Sequence, residues 1–268
     1  MIKIISGWGN CGGSTVAFIN LTNALNKRGI ETVFYTPHQW PLDKCKADTM
    51  ANVTLREDDS LIIHFFKTNW AYRPPTKGKV IYSCHEKDIC PMSNLNYKIF
   101  DKIHFVSRPQ KEWHNIDHPS FILPNIVNEL KPSKAVINGF DRVGGIIGSI
   151  DRNKQTNLSI ERAIEDGMKK ILLFGNISDL TYYNEILAEE KFKDKRIIHM
   201  GHEDDKQKMY DSITDVYLSS KSETWSFIPK ECDLTGVCFH GTDAIKDNFE
   251  QNMTNDEIVK HWCKELKI

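Results

Sequence analysis

Apolar positions along the chain come in two kinds of run. Ile2–Ser6, Thr32–Thr36, Leu61–Phe66, Val80–Cys84, Lys102–Ser107 and Phe121–Leu123 are short, rich in β-branched and aromatic residues, and close to continuously apolar. Runs of that length and character predict strands buried on both faces. The stretches between them carry apolar residues at helical spacing. In the first, Ala17, Phe18, Leu21, Ala24 and Leu25 form one stripe, Ser14 stands at its start, and Gly29 follows Lys27 and Arg28 at its end. Strands alternating with helices predict a parallel sheet covered on both sides.

Residues 128–142 break the pattern: they are polar, contain a proline and a glycine, and have no period. They are read as a linker between a lobe of residues 1–127 and a second of residues 143–268. The second series has strands at Val143–Ile150, Ile171–Phe174, Arg196–Met200, Val216–Ser219 and Val237–His240. Helices are predicted at about 156–167, 179–191, 204–213 and 227–235, and a last amphipathic helix at about 254–266 can pack back on the first lobe. The expected architecture is α/β, with two Rossmann-like lobes.

Composition narrows the functional classes. A chain of 268 residues suffices for two small lobes. A formal net charge of −1 excludes a bulk basic field for nucleic acid or anionic lipid. Seven scattered cysteines argue against a disulfide framework and predict a reducing, cytoplasmic setting. The opening MIKIISGWG is too short and glycine-interrupted for a signal peptide, and no apolar run approaches the roughly 18 residues of a spanning helix.

Two segments carry chemistry. Gly7-Trp8-Gly9-Asn10-Cys11-Gly12 fits G-x-G-x-x-G between a strand and a helix, where glycines expose backbone amides to an anion. A nicotinamide enzyme should end its second strand on an acid, but here that strand ends Tyr35-Thr36-Pro37-His38. A tight turn without a ligand stays open as the bland reading. The second segment is Leu218–Gly241, where Glu223 and Glu231 are separated by seven residues and Pro229 fits only the first turn of a helix starting near Ser226. Both carboxylates then fall at the C-terminal edge of a parallel sheet, where α/β folds bind ligands.

This spacing resembles the E-x(7)-E element of retaining GT-B glycosyltransferases of the family-4 type, whose fold is two Rossmann-like lobes with a cleft between them. Ser220 before Glu223 and Gly236 after Glu231 fit the same element. Further landmarks follow in the family's order: Gly12-Gly13 opening the first helix, His85 at a strand end, Ser107, Pro124-Asn125, Gly148 with Lys154, and Gly201 followed by Met209-Tyr210. Two departures stand out. Thr224-Trp225-Ser226 replaces a glycine-rich stretch, and Ser149 stands where the family has an arginine, with Arg152 three residues later.

The resemblance implies a metal-independent hexosyl- or pentosyl-transferase acting with retention on a nucleotide diphosphate sugar, with no other cofactor. By the same resemblance His85, Glu223, Arg152 and Lys154 are the catalytic candidates. Glu223 would hold hydroxyls of the transferred sugar, His85 would contact that sugar, and Arg152 and Lys154 would neutralise the diphosphate. Glu231 would bind the ribose, and Gly12, Gly13, Gly201, Thr224, Trp225 and Ser226 complete the donor-binding set. No metal site is expected: no D-x-D element stands where it could hold a diphosphate, and the Cys84-His85-Glu86 and Cys90 spacing fits no standard zinc site. The acceptor is left open between a glycan, a small molecule and a modified nucleic acid. Phe65–Arg73, with Trp40 and Trp113, is its candidate surface. An epimerase acting on the nucleotide sugar, and a non-catalytic protein binding glycan or nucleic acid, are the alternatives.

Overall fold

A computed structural model describes the whole chain except residues 9–11, 65–71, 88–95, 140, 190–191, 243–244 and 246–252. It divides into two compact units, Met1–Val127 with Asn248–Ile268, and Asn128–Asp247.

In the first unit seven parallel strands form one sheet: β1 (Ile2–Ser6), β2 (Thr32–Thr36), β3 (Ala47–Thr49), β4 (Ser60–His64), β5 (Val80–Cys84), β6 (Lys102–Phe105) and β7 (Ser120–Ile122). Their order is β3-β2-β1-β4-β5-β6-β7, so the direction of winding reverses between β1 and β4. Alternate residues feed two cores. Ile2, Ile4, Phe34, Ile62 and Ile81 point to one face, and Ile5, Val33, Leu61, Ile63 and Tyr82 to the other. Helix α1 (Gly13–Lys27) covers the first face with Phe18, Leu21 and Leu25, which accounts for the stripe seen in the sequence.

The C-terminal helix, α8 (Asn255–Leu266; helices are numbered in chain order), packs on that same face through Ile258, Val259, Trp262 and Leu266. Its start is set by a capping box, in which Thr254 accepts from Glu257 N while the Glu257 carboxylate accepts from Thr254 N. The Asn255 side chain then holds both backbone groups of Val127, at 3.0 and 2.8 Å.

Two elements of this unit lack a readable apolar pattern. Strand β3 is three half-buried residues, Ala-Asp-Thr, at the sheet edge. The strand expected to reach Ser107 ends at Phe105, because Ser107 caps a short helix, α2 (Arg108–His114), with Pro109 in its first turn.

The second unit repeats the topology with five parallel strands: β8 (Val143–Ile147), β9 (Lys170–Phe174), β10 (Ile197–Gly201), β11 (Asp215–Leu218) and β12 (Cys238–Gly241), in the order β10-β9-β8-β11-β12. Its helices are α3 (Lys134–Ile137), α4 (Thr156–Glu165), α5 (Leu180–Ala188), α6 (Lys206–Tyr210) and α7 (Ile228–Thr235). Strand β8 stops three residues short of the expected Ile150. Gly148 turns out at φ +134, and a Cβ on Gly175 would come within 1.8 Å of the Gly148 carbonyl oxygen. The two strand-end loops therefore meet backbone to backbone, which only glycine allows.

Residues 128–142, read above as a linker, group with this unit. Ser133 is fully buried: its hydroxyl donates to Tyr210 O at 2.7 Å and its amide to Thr235 O at 2.8 Å. Among the described residues no helix is long and apolar enough to cross a membrane.

Candidate functional site

Open parallel α/β sheets bind ligands outside the carboxyl ends of the strands, where the strand order reverses. In the second unit that point lies between β8 and β11, so the loops after these strands are decisive. The first loop is organised by Asp151, whose carboxylate accepts from the amides of Asn153 and Lys154 at 2.9 and 2.8 Å and from the Ser149 hydroxyl at 2.5 Å. Asn153 ties this loop to the next: its carbonyl accepts from Lys221 N at 2.8 Å, and its amide group donates to Ser222 O at 3.3 Å. The result is an ion pair between Lys154 Nζ and Glu223 Oε1, with both side chains mostly buried.

Arg152 turns the other way. Its guanidinium makes a two-pronged pair with Glu185 at 2.6 and 2.7 Å, lies 3.5 Å from Asp179, and rests 5.3 Å over the Tyr182 ring. The acids of α5 and the residue capping it take the charge that was expected to stand with Lys154.

Glu231 sits in the first turn of α7, where a carboxylate also complements the helix dipole. It is buried, at 1% exposure, and doubly held: Lys206 Nζ pairs with Oε1, and the Tyr210 hydroxyl donates to Oε2 at 2.9 Å. Burial, reinforced by Glu231 itself, pushes the Tyr210 hydroxyl well above the ordinary phenol range, so it remains a donor. The Lys206 ammonium also lies 5.1 Å over the Phe227 ring, against whose face or edge Trp225 packs at 86°. Thr224 and Trp225 are half-buried, while Ser226 is buried and accepts from Ile228 N at 3.4 Å. Ser219 and Ser220, at the end of β11, are both 3% exposed, and their hydroxyls have no hydrogen-bond partner among the described residues.

Gly201 falls outside this group. It ends the outermost strand, β10, at φ +75, and its carbonyl accepts from Gly175 N at 2.8 Å. A hollow of about 560 Å³ beside α4, lined by Gln155, Leu158, Ser219 and Thr242 among others, includes none of Lys154, Glu223 or Glu231.

In the first unit the corresponding reversal lies between β1 and β4. Gly12 precedes α1 in extended conformation (φ −86, ψ 168), and Gly13 is the first, exposed, helical residue. Among the described residues no side chain caps this helix, and no acid stands in its first turn. At the start of the G-x-G-x-x-G loop Gly7 N donates to His64 O at 3.2 Å and Trp8 N to Ser6 Oγ at 3.1 Å, and residues 9–11 lie outside the described residues. Beside it, Ser6 Oγ is 2.8 Å from His64 Nδ1, and His64 Nε2 is 2.9 Å from the Glu86 carboxylate. Burial raises the Glu86 carboxyl, but His64 together with the backbone amides of His85 and Glu86 offsets this and leaves it below its usual range.

His85 follows β5 and belongs to a buried relay. The Leu123 carbonyl can only accept, so His104 donates through Nε2 at 2.7 Å and its Nδ1 is an acceptor. The Ser83 hydroxyl then donates to His104 Nδ1 at 2.8 Å and accepts from His85 Nε2 at 3.1 Å. That fixes the tautomer of His85, with Nδ1 as its accepting nitrogen. Burial, with His64 and His104 nearby, holds His85 well below the usual imidazole range, and burial takes His104 down to about 4.

Sequence reasoning did not find Asn153, Lys206, Ser83 or His104. An Asx turn starting at Asp151 was open to inspection, but the partners of Lys206 and Ser83 follow only from strand and helix placement. Of the candidate acceptor surface, residues 65–71 lie outside the described residues; Tyr72 is exposed, and Arg73 pairs with Asp101 at 2.9 Å.

No protein-family model matches the chain, and no curated protein matches it in sequence. Solved structures match it in fold. HepE from Anabaena, determined in complex with UDP and glucose, aligns over 99% of this chain and 91% of its own with a TM-score of 0.70 at 11% identity. A glycosyltransferase from Rickettsia africae ESF-5 aligns over 100% and 88% with a TM-score of 0.65 at 13% identity. WaaG, a glycosyltransferase involved in lipopolysaccharide biosynthesis, aligns over 100% and 91% with a TM-score of 0.62 at 12% identity. The fold is of the GT-B type. At these identities the likeness is one of fold, and the chemistry of a GT-B chain has to be argued from its own side chains.

Proposed function

We propose that this chain is a metal-independent, retaining glycosyltransferase that moves a hexosyl or pentosyl group from a nucleotide diphosphate sugar. The carrying observation is the pair of carboxylate–lysine contacts, Lys154–Glu223 between the loops after β8 and β11, and Lys206–Glu231 between the helices that follow β10 and β11. A diphosphate arriving there can recruit the Lys154 ammonium, which frees Glu223 to accept from sugar hydroxyls. Glu231, held by Lys206 and Tyr210, is preorganised to accept from ribose. The buried hydroxyls of Ser219 and Ser220 are donors for which a ligand would be a partner. HepE has been solved with UDP and with UDP-glucose, which supports a nucleoside diphosphate sugar as donor.

In this reading the glycosidic bond to the diphosphate breaks and its electron pair stays on the leaving oxygen, whose charge Lys154 balances. The leaving diphosphate takes the acceptor's proton on the face it departs from, and the acceptor oxygen bonds there. His85, with Nδ1 accepting, would hold a hydroxyl of the transferred sugar. Gly12 and Gly13 would offer backbone amides to the donor. Thr224, Trp225 and Ser226 would line it, and Gly201 would act at a distance, through the Gly175 turn. A reducing compartment is part of the proposal, since Cys45, Cys232, Cys238 and Cys263 carry free thiols.

A thermal-shift screen over nucleotide sugars tests the donor class, because a ligand at 100 times its Kd stabilises by about 2.7 kcal/mol. A selective shift with one nucleotide sugar is expected, and no shift with any would overturn the reading. One observation favours a binding protein without turnover: Arg152, offered as the second phosphate charge, is engaged by Glu185. Release of nucleoside diphosphate, with and without acceptors, separates the two.

A further inference from the structure

At the opposite end of the second sheet, the starts of β11 and β12 hold a cluster that the donor reading does not use. Asp215 and Cys238 open the two strands and pair directly across the ladder, and His240 follows two residues along β12. Side chains two apart share a face, and the ligand atoms of the three residues all lie within 4.8 Å of one another. They are chemically mixed: a carboxylate, a thiol and an imidazole.

The imidazole is held from two sides. Its ring stacks on Tyr217 at 4.5 Å and 5°, which sets the ring plane. Nδ1 faces Asp166 Oδ2 at 3.9 Å, and that oxygen also accepts from the Tyr217 hydroxyl at 2.8 Å. Nε2 is left toward Asp215 Oδ1, at 2.9 Å. A carboxylate hydrogen-bonded behind an imidazole orients and polarises a metal-bound histidine, and Asp166, at 3.9 Å, has to close by roughly 1 Å or less to make that bond. On Asp215, Oδ2 accepts from the Thr214 hydroxyl at 2.7 Å, while Oδ1 faces His240 and, at 3.2 Å, Arg142.

We propose that Asp215, Cys238 and His240 form a three-ligand site for a zinc-type divalent cation, with Asp166 as the positioning residue behind His240 and water in the fourth position. Sulfur, nitrogen and one oxygen suit Zn²⁺ or Co²⁺ and do not suit Mg²⁺ or Ca²⁺, which require oxygen shells. Two ligands at about 2.1 Å in tetrahedral geometry lie roughly 3.4 Å apart, so His240 and Asp215, now at 2.9 Å, need to open by about half an ångström. Binding replaces their hydrogen bond by two metal bonds, and the Cys238 thiol proton leaves to solvent. The carboxylate and thiolate balance the ion's charge, and Arg142 and Asp166 balance each other beside it. Cys238 is exposed, which gives the ion an entry path. Bound there, the ion would tie the edge strand β12 to β11.

Cobalt titration of the full chain, stripped with chelator, tests the site without reference to sugar transfer. The expected result is saturation at one equivalent, with a thiolate-to-cobalt charge-transfer band in the near ultraviolet and the visible bands of a tetrahedral ion. Zn²⁺ should displace the cobalt and raise the melting temperature. Cys238→Ser should abolish the charge-transfer band, whereas Cys263→Ser should leave it intact. Asp166→Ala should weaken Zn²⁺ binding by roughly 10- to 100-fold. The proposal is overturned by a wild-type protein that shows no such band, or by a band that survives in Cys238→Ser.

Discussion

Lys154 and Arg152 stand two positions apart in one loop yet make different commitments. The first pairs with Glu223 at the switch point, and the second is engaged by Glu185. On the proposed reading only the first already lies where a diphosphate would gain charge. Lys154→Ala is therefore expected to lower turnover by 10-fold or more, on the order of an electrostatic donor's loss, and Arg152→Ala by clearly less. Steady-state kinetics on both variants decides it, and equal losses would mean that Arg152 releases Glu185 in the working enzyme. The histidines of the first unit give a second test. His85 and His104 are held neutral by burial, with folded pKa values below the unfolded 6.5. Between the folded and unfolded values the unfolded chain binds the extra protons, so stability rises with pH and is lost as pH falls from about 6.5 toward 4. Each group contributes a slope of up to about 1.4 kcal/mol per pH unit. Urea unfolding at several pH values should show this acid sensitivity, and His104→Gln should flatten it by about one proton.

Helix α8 behaves as an integral layer of the first unit, although it is separated from it in sequence by the whole of the second. Trp262 is 3% exposed and packs edge-on against His104 at 4.7 Å and Phe121 at 5.4 Å. Trp262→Ala should cost about 3–5 kcal/mol, the range for removing a large buried aromatic. Thr254→Ala, which removes only the cap, should cost about 1 kcal/mol. Denaturant unfolding monitored on the first unit measures both, and a Trp262→Ala effect no larger than the cap effect would show that the helix is peripheral. The amphipathic stripe of this helix was legible from the sequence, because its spacing is periodic. Strand β3 was not, because three half-polar residues at a sheet edge carry no period. Helix α2 was hidden by the apolar run before it, and the hydrogen bond from Gln110 N to Ser107 Oγ, with Pro109 in the first turn, marks its start.

Two doubly wound sheets, each with its own core, make the molecule one architecture used twice, and the proposed transfer chemistry belongs to that scale. The proposed reaction keeps the donor's anomeric configuration, since the leaving diphosphate serves as base on its own face. Proton NMR of fresh product reads this from the anomeric coupling constant, and an inverted product would make His85 the suspect base. Transfer should also persist under exhaustive chelation, because the proposed reaction has Lys154 rather than a metal balance the diphosphate. Restoration of a lost activity by added Mg²⁺ or Mn²⁺ would sink that assignment. The sequence alone determined the strands that are apolar on both faces, the helices with a full stripe, and the seven-residue interval between Glu223 and Glu231, because each is a local regularity along the chain. It could not determine which charges pair. Ser83 meets His104 because β5 and β6 run in parallel register, Lys206 reaches Glu231 across 25 residues, and Arg152 finds Glu185 rather than a neighbour in its own loop. Those partners are chosen by tertiary placement: a buried polar or charged group such as Glu231 needs a partner that the fold brings within reach, and an exposed one such as Arg152 takes the acids its helix neighbour presents.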